Sequence, residues 1–212
     1  QRACGQTDAW QKYLQYAAFA TIGDVMELRG ENRTITTLGL EQLRRTDNIG
    51  LQALIACSGL DADQLRAYHI GYVIGPCINA TGRLDTAKRA LELLIETDHW
   101  RAQKIAQELV SLNDERKQLT TEGVEEAVRL VEEQKLWKHP VLVVYLPQTH
   151  ESLAGIIAGR LRERYYRPTY VLTNGEDCVK GSGRSIPSYH MYEHLSRVAS
   201  LLIKFGGHAM AA

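Results

Sequence analysis

Between Asp98 and Gln134 the sequence reads DHWRAQKIAQELVSLNDERKQLTTEGVEEAVRLVEEQ, charged and aliphatic residues with no proline and one glycine, Gly123. Ile105, Leu109, Leu112, Leu119, Val124, Val128 and Val131 form an interrupted apolar stripe at helical spacing. At a rise of about 1.5 Å per residue such a helix spans on the order of 50 Å, longer than a small domain needs. The stretch therefore predicts a helical connector between two domains, the alternative being a helical hairpin broken near Asn113 or Gly123.

The two flanks differ in character. Before the connector the periodicity is helical. DAWQKYLQYAAFA (8–20) carries Trp10, Tyr13, Leu14 and Ala17 behind an Asp8 cap and breaks at Gly23, and 37–45 and 50–58 are short helical stretches. Residues 61–74 run into Gly75-Pro76, and 75–94 reads as a loop that becomes a helix, with Asp85 or Thr86 as its cap. After His139-Pro140, VLVVYL (141–146) reads as a strand buried on both faces. A helix from Glu151, a strand at 168–173, an Asn-Gly turn, a strand at 178–185 and a final helix over 188–205 complete a βαββα order. The fold class is α/β, with helices packed on a small mixed sheet.

Charge narrows the partners. The 25 Lys and Arg balance the 25 Asp and Glu, which excludes a whole-molecule field for nucleic acid or membrane. Residues 141–212 nevertheless hold eight basic against five acidic side chains and four of the seven histidines, so an anion belongs there if anywhere. Cys4, Cys57, Cys77 and Cys178 form no C-x-x-C pair, which argues against a zinc knuckle or a disulfide framework and for a reduced, cytoplasmic protein. No apolar run approaches the ~18 residues of a membrane span, and no signal peptide is present. Gln1 is not a natural start, so the reading is of a piece.

Three stretches have the makings of chemistry. In GSGRSIPS (181–188), Arg184, Ser185 and exposed backbone N–H groups suit a phosphate or carboxylate, although a glycine hairpin with a surface arginine is the plainer reading. In FGGHAMAA (205–212), Gly206 and Gly207 let main chain approach a ligand beside His208, or else Gly206 is the C′ glycine of the preceding helix. In INATGRL (78–84), Asn79 and Arg83 flank a glycine at a helix entrance, an anion site or a polar loop.

Taken together, ATIGDVMEL, GPCINATGRLDTAKRALELL, LNDERKQLT, HESLAGIIAGRLRERYYRP, KGSGRSIP and LLIKFGGHAMAA resemble, in this order, the RecJ exonucleases of the DHH phosphoesterase superfamily. The resemblance implies the helical remainder of a DHH domain (1–97), a connecting helix (98–137) and a DHHA1 substrate-binding domain (138–212). It implies metal-dependent 5′→3′ hydrolysis of single-stranded DNA with Mn²⁺ or Mg²⁺, in repair and recombination, with a single-strand-binding protein and a helicase as partners and no membrane. Asp24 corresponds to a metal-binding aspartate. Arg184 and Ser185 correspond to substrate contacts, with Gly206 and Gly207 keeping the backbone open to phosphate, His208 to the catalytic histidine facing it, and Asn79 and Arg83 to polar groups near the domain junction.

Two departures qualify the match. HES at 150–152 replaces the usual His-Glu-Gly, and no Asp-His-His occurs anywhere in the chain. Two-metal hydrolysis needs several carboxylates and imidazoles around paired cations, and Asp24 alone does not supply them. The expectation is a C-terminal part of a catalytic core, missing a last strand as well, inactive by itself. The other readings are a phosphodiesterase for short oligoribonucleotides or cyclic dinucleotides, and a non-catalytic nucleic-acid-binding module. Arg160, Arg162, Arg164 and Arg167 are candidates for a groove, and Tyr166, Tyr189 and Tyr192 for base stacking.

Overall fold

The computed structural model describes residues 10–84 and 86–212, so Cys4 and the Asp8 and Asp85 caps lie outside the described residues. The chain divides into two compact units, Gln1–Glu115 and Arg116–Ala212.

The first unit is helical: α1 Leu14–Gly23, α2 Gly30–Arg44, α3 Ile49–Cys57, α4 Ala67–His69, α5 Gly75–Leu84, α6 Lys88–Ile95 and the first half of α7. Leu43, Leu51, Leu54, Ile70, Ile74, Leu93 and Leu109 are its buried centre. Gly75-Pro76 does not interrupt the helix as the sequence suggests. A π-helical turn, Ile70–Ile74, widens the backbone just ahead of Pro76, and the Gly75 N–H bonds back to Ile70. The wider turn makes room for a proline ring that would clash with the carbonyl four residues back in a regular helix. The stretch expected as a loop is thus α5, while the Thr86 hydroxyl does accept from the Lys88 N–H at the start of α6, at 3.4 Å.

Helix α7, His99–Glu133, runs 35 residues without a break. Neither proposed breakpoint breaks it. Asn113 is buried, and at Gly123 a Cβ would stand 2.6 Å from Ile157 Cδ1, so glycine there makes room for a neighbour. Ala102, Ile105, Ala106 and Leu109 pack in the first unit, and Ala127 and Val131 in the second.

In the second unit β1 (Leu142–Tyr145) pairs in parallel with β2 (Thr169–Asn174), with α8 (Ala154–Tyr165) between them in sequence, and β2 pairs antiparallel with β3 (Val179–Arg184). Thr169 stands opposite Arg184 and Asn174 opposite Val179. The core gathers Leu142, Val144, Leu153, Ile157, Leu161 and Val171. Strand β1 alternates instead of being buried on both faces: Leu142 and Val144 point inward, while Val143 is 52% and Tyr145 46% exposed. Its apolar run meets packed helix on one side only.

The final helix also departs from expectation. It is α9, Met191–Ser196, followed by a single turn at Ala199–Leu201. A straight helix would carry residue 205 about 20 Å from residue 191. The Met191 N–H instead bonds to the Ala209 carbonyl at 3.0 Å, which requires the chain to double back. Gly206 is therefore not a helix C′ residue.

Asn48 ties three helices of the first unit. Its Oδ1 accepts from the Leu51 N–H at 2.8 Å to cap α3, and its Nδ2 donates to the Leu94 carbonyl at 2.7 Å and the Tyr16 hydroxyl at 3.0 Å. Asn48→Ala should cost about 2–3 kcal/mol in urea unfolding followed by circular dichroism, and Asn48→Asp, which keeps the cap but loses the amide donor, about half of that.

Candidate functional site

The last five residues add a short rung to the end of β3. The Gly183 N–H donates to the Ala212 carbonyl at 2.5 Å, the Ala212 N–H returns a bond to Gly183 at 3.3 Å, and the Ser185 N–H donates to Met210 at 2.9 Å. Arg184 and His208 each bridge to Ala211, and the His208 N–H donates to the Ala211 carbonyl at 2.8 Å. Two residues far apart in sequence thus share one backbone partner.

The glycines have separate reasons. Gly207 has φ +148°, and a Cβ there would run into the Ala211 carbonyl and stand 2.7 Å from Ala212 Cα, so the tight return to β3 requires glycine. A Cβ at Gly206 would meet nothing within 4 Å. The requirement at Gly207 therefore lies inside the loop and needs no ligand to explain it.

His208 is exposed, and its Nδ1 accepts from the Met210 N–H at 3.4 Å. In the neutral ring this places the proton on Nε2, a donor. Arg184 is half-buried, its Nη1 donating to the Gly183 carbonyl at 2.7 Å. Ser185 is fully buried, with its hydroxyl donating to the Tyr189 carbonyl at 2.5 Å. Both of its donors are spent on the protein, so it fixes the turn after Arg184. The Tyr189 ring stacks on His194, centroids 4.0 Å apart, and Tyr192 tilts against Phe205. Burial, and then the Tyr189 phenol, push the Tyr170 phenol well above its ordinary range. It stays neutral under Gly183, where a Cβ would press on its ring.

At the head of α8, His150 Nδ1 lies 2.7 Å from the Ser152 hydroxyl, the residue that departs from His-Glu-Gly, and Glu151 pairs with Lys180 at 2.7 Å. That pair raises the Lys180 pKa. Of the arginines expected to line a groove, Arg160 and Arg162 pair with Glu163, Arg164 lies over the Tyr165 ring, and Arg167 donates to the Trp137 carbonyl.

Asp24, Asn79 and Arg83 belong to the first unit. Asp24 ends α1 and is exposed, and Val25 after it has φ +55° at 88% exposure, a conformation that β-branched residues rarely adopt. Asn79 and Arg83 lie one turn apart on α5, with Arg83 in its last turn, so they do not sit at a helix entrance. Among the described residues no group of three or more His, Cys, Asp or Glu is placed to hold a metal ion, and no helix is long and apolar enough to cross a membrane.

A model of the DHHA1 domain matches residues 138–212, the stretch that contains the β3 rung, Arg184 and His208. Residues 138–212 are a DHHA1 domain. Over nearly its whole length the chain is also homologous to RecJ. It is 40% identical to the single-stranded-DNA-specific exonuclease RecJ of Bacillus subtilis over 94% of the chain and 25% of that protein. It is 36% identical to RecJ of Escherichia coli over 94% of the chain and 36% of that protein. A crystal structure of RecJ with Mn²⁺ from Thermus thermophilus superposes with a TM-score of 0.88 at 30% identity, covering 99% of this chain and 31% of that one. Exonuclease RecJ bound to manganese gives 0.82 at 31% identity, covering 95% and 49%. The chain thus spans a quarter to about half the length of these relatives.

Sequence reasoning placed Arg184, the glycines and His208 in one domain but missed what joins them, because a backbone ladder to Ala211 and Ala212 carries no side-chain signature. Gly207→Ala should lower the melting temperature of the chain, at a cost of about 1–3 kcal/mol, while Gly206→Ala stays within about 0.5 kcal/mol of the parent in the same thermal melt.

Proposed function

We propose that the whole protein is a metal-dependent 5′→3′ exonuclease for single-stranded DNA, acting in repair and recombination, and that the DHHA1 domain of this chain holds a phosphate of the strand. The observation that carries the reading is the double bridge to Ala211, which fixes Arg184 and an exposed His208 at one end of the sheet. A guanidinium binds phosphate oxygens with charge-assisted hydrogen bonds, and a neutral imidazole protonated on Nε2 donates to the same group. His208 is the catalytic candidate because a donor at a phosphate stabilises the charge that develops during hydrolysis. Ser185 and Gly207 act by shaping the loop, Gly206 is proposed to leave the backbone beside it open to the phosphate, and Asn79 and Arg83 are proposed as further polar contacts to the strand.

Asp24 is proposed as one metal ligand. The described residues do not by themselves fit a Mn²⁺ or Mg²⁺ pair, since no cluster accompanies it. Residues 1–97 are proposed as the C-terminal part of a DHH domain and 98–137 as a connecting helix, in a cytoplasmic protein that works with a single-strand-binding protein and a helicase.

Fluorescence anisotropy with a 5′-phosphorylated oligothymidylate tests the reading. Arg184→Ala should weaken binding about tenfold or more and reduce the salt slope by about one, with a smaller loss for His208→Ala. Equal affinity for all three proteins would remove both residues from the site. The purified 212-residue chain should not degrade single-stranded DNA with Mn²⁺, and measurable degradation would contradict the assignment of its metal site.

A further inference from the structure

Arg184 reaches its place by lying along α8. A Cβ built on Gly155 would stand 2.8 Å from Arg184 Nη2, 3.3 Å from Cζ and 3.5 Å from Nη1, and these three are its nearest neighbours outside the helix. The guanidinium therefore rests where residue 155 has no side chain. One turn further on, the aliphatic stem passes Gly159 at an ordinary distance, 4.0 Å from a Cβ there to Cγ. From the other side the Gly183 carbonyl holds Nη1 at 2.7 Å. The head group is thus seated between bare helix backbone and its own strand.

We propose that Gly155 is a positioning residue for phosphate binding, its missing side chain being the seat that sets where the Arg184 guanidinium stands. This rests on the reading of Arg184 as a phosphate ligand. An alanine at 155 would force Nη2 from 2.8 Å to at least the 3.4 Å of ordinary contact, a shift of about half an ångström or more. Charge-assisted bonds to phosphate form at about 2.7–2.9 Å, so a displacement of that size breaks at least one bond of a two-pronged contact. The fold has no comparable objection. The colliding atoms are the far end of a flexible side chain, and Gly155 is the second residue of α8, where alanine is at least as good a helix former as glycine.

The signature follows from those opposite tendencies: Gly155→Ala keeps or raises the stability of the protein while it weakens phosphate binding. A glycine kept only for packing cannot do this, because its loss of binding would accompany a loss of fold. The effect should also vanish where Arg184 is already gone.

The test uses the full chain, a 5′-phosphorylated oligothymidylate in anisotropy titrations, and thermal melts of Gly155→Ala, Arg184→Ala, the double variant and Gly159→Ala. Expected are a melting temperature for Gly155→Ala at or above the parent, binding weakened about tenfold, no further loss in the double variant, and binding by Gly159→Ala within about twofold of the parent. Parent-like binding by Gly155→Ala alongside weakened Arg184→Ala overturns the inference and leaves the phosphate reading standing. Additive losses in the double variant, or a lowered melting temperature that accounts for the lost binding, also overturn it. Parent-like binding by Arg184→Ala overturns the underlying reading and this inference with it.

Discussion

The return of residues 209–212 onto the end of β3 is the interaction on which the C-terminal unit depends. It satisfies backbone donors and acceptors on a strand that is otherwise paired on one edge only, and a sheet edge left with bare polar groups invites pairing with another chain. The same return holds His208 beside the sheet and demands a glycine at 207. Few side chains are needed for this. Small residues at 207, 209, 211 and 212 let the backbone come close enough to pair.

Around that rung, packing on β3 is set by what the glycines omit. Leu172 occupies the space beside Gly181, the Tyr170 ring and Met191 the space beside Gly183, and Arg184 the space over Gly155. The glycines of GSGRS are filled by the protein's own side chains, so their presence is no sign of a phosphate loop of the helix-capping kind. What a ligand would meet is the guanidinium, held by a carbonyl and a helix face, and the imidazole, whose donor nitrogen is set by a backbone N–H. Rigid support of this kind is what keeps donors within the narrow geometry that phosphate recognition needs.

Much of this was legible from the residues. The long helix, the three strands and the place of Arg184 on the third strand follow from periodicity and turn chemistry, although Arg184 stands opposite Thr169, at the end of the β2–β3 pair away from its turn. The failures have identifiable physical causes. Pro76 read as a helix boundary because the π-turn that accommodates it is a backbone adjustment without a residue code. The apolar β1 read as buried on both faces because composition cannot say how many layers are present. The final helix read as long because the periodicity of 188–205 is helical, and a tertiary bond from Met191 to Ala209 overrode it. Asn79 and Arg83 were expected at a loop and lie on a helix, for the same reason as Pro76.

The central claim is that the closing loop and the end of β3 form one anion site. An ¹H,¹⁵N NMR titration of the chain with thymidine 5′-monophosphate tests it most directly. The account predicts shifts concentrated on the Arg184 Nε–H and on the amides of residues 206–212. Shifts confined to other parts of the chain, or none in that segment at saturating nucleotide, would contradict it.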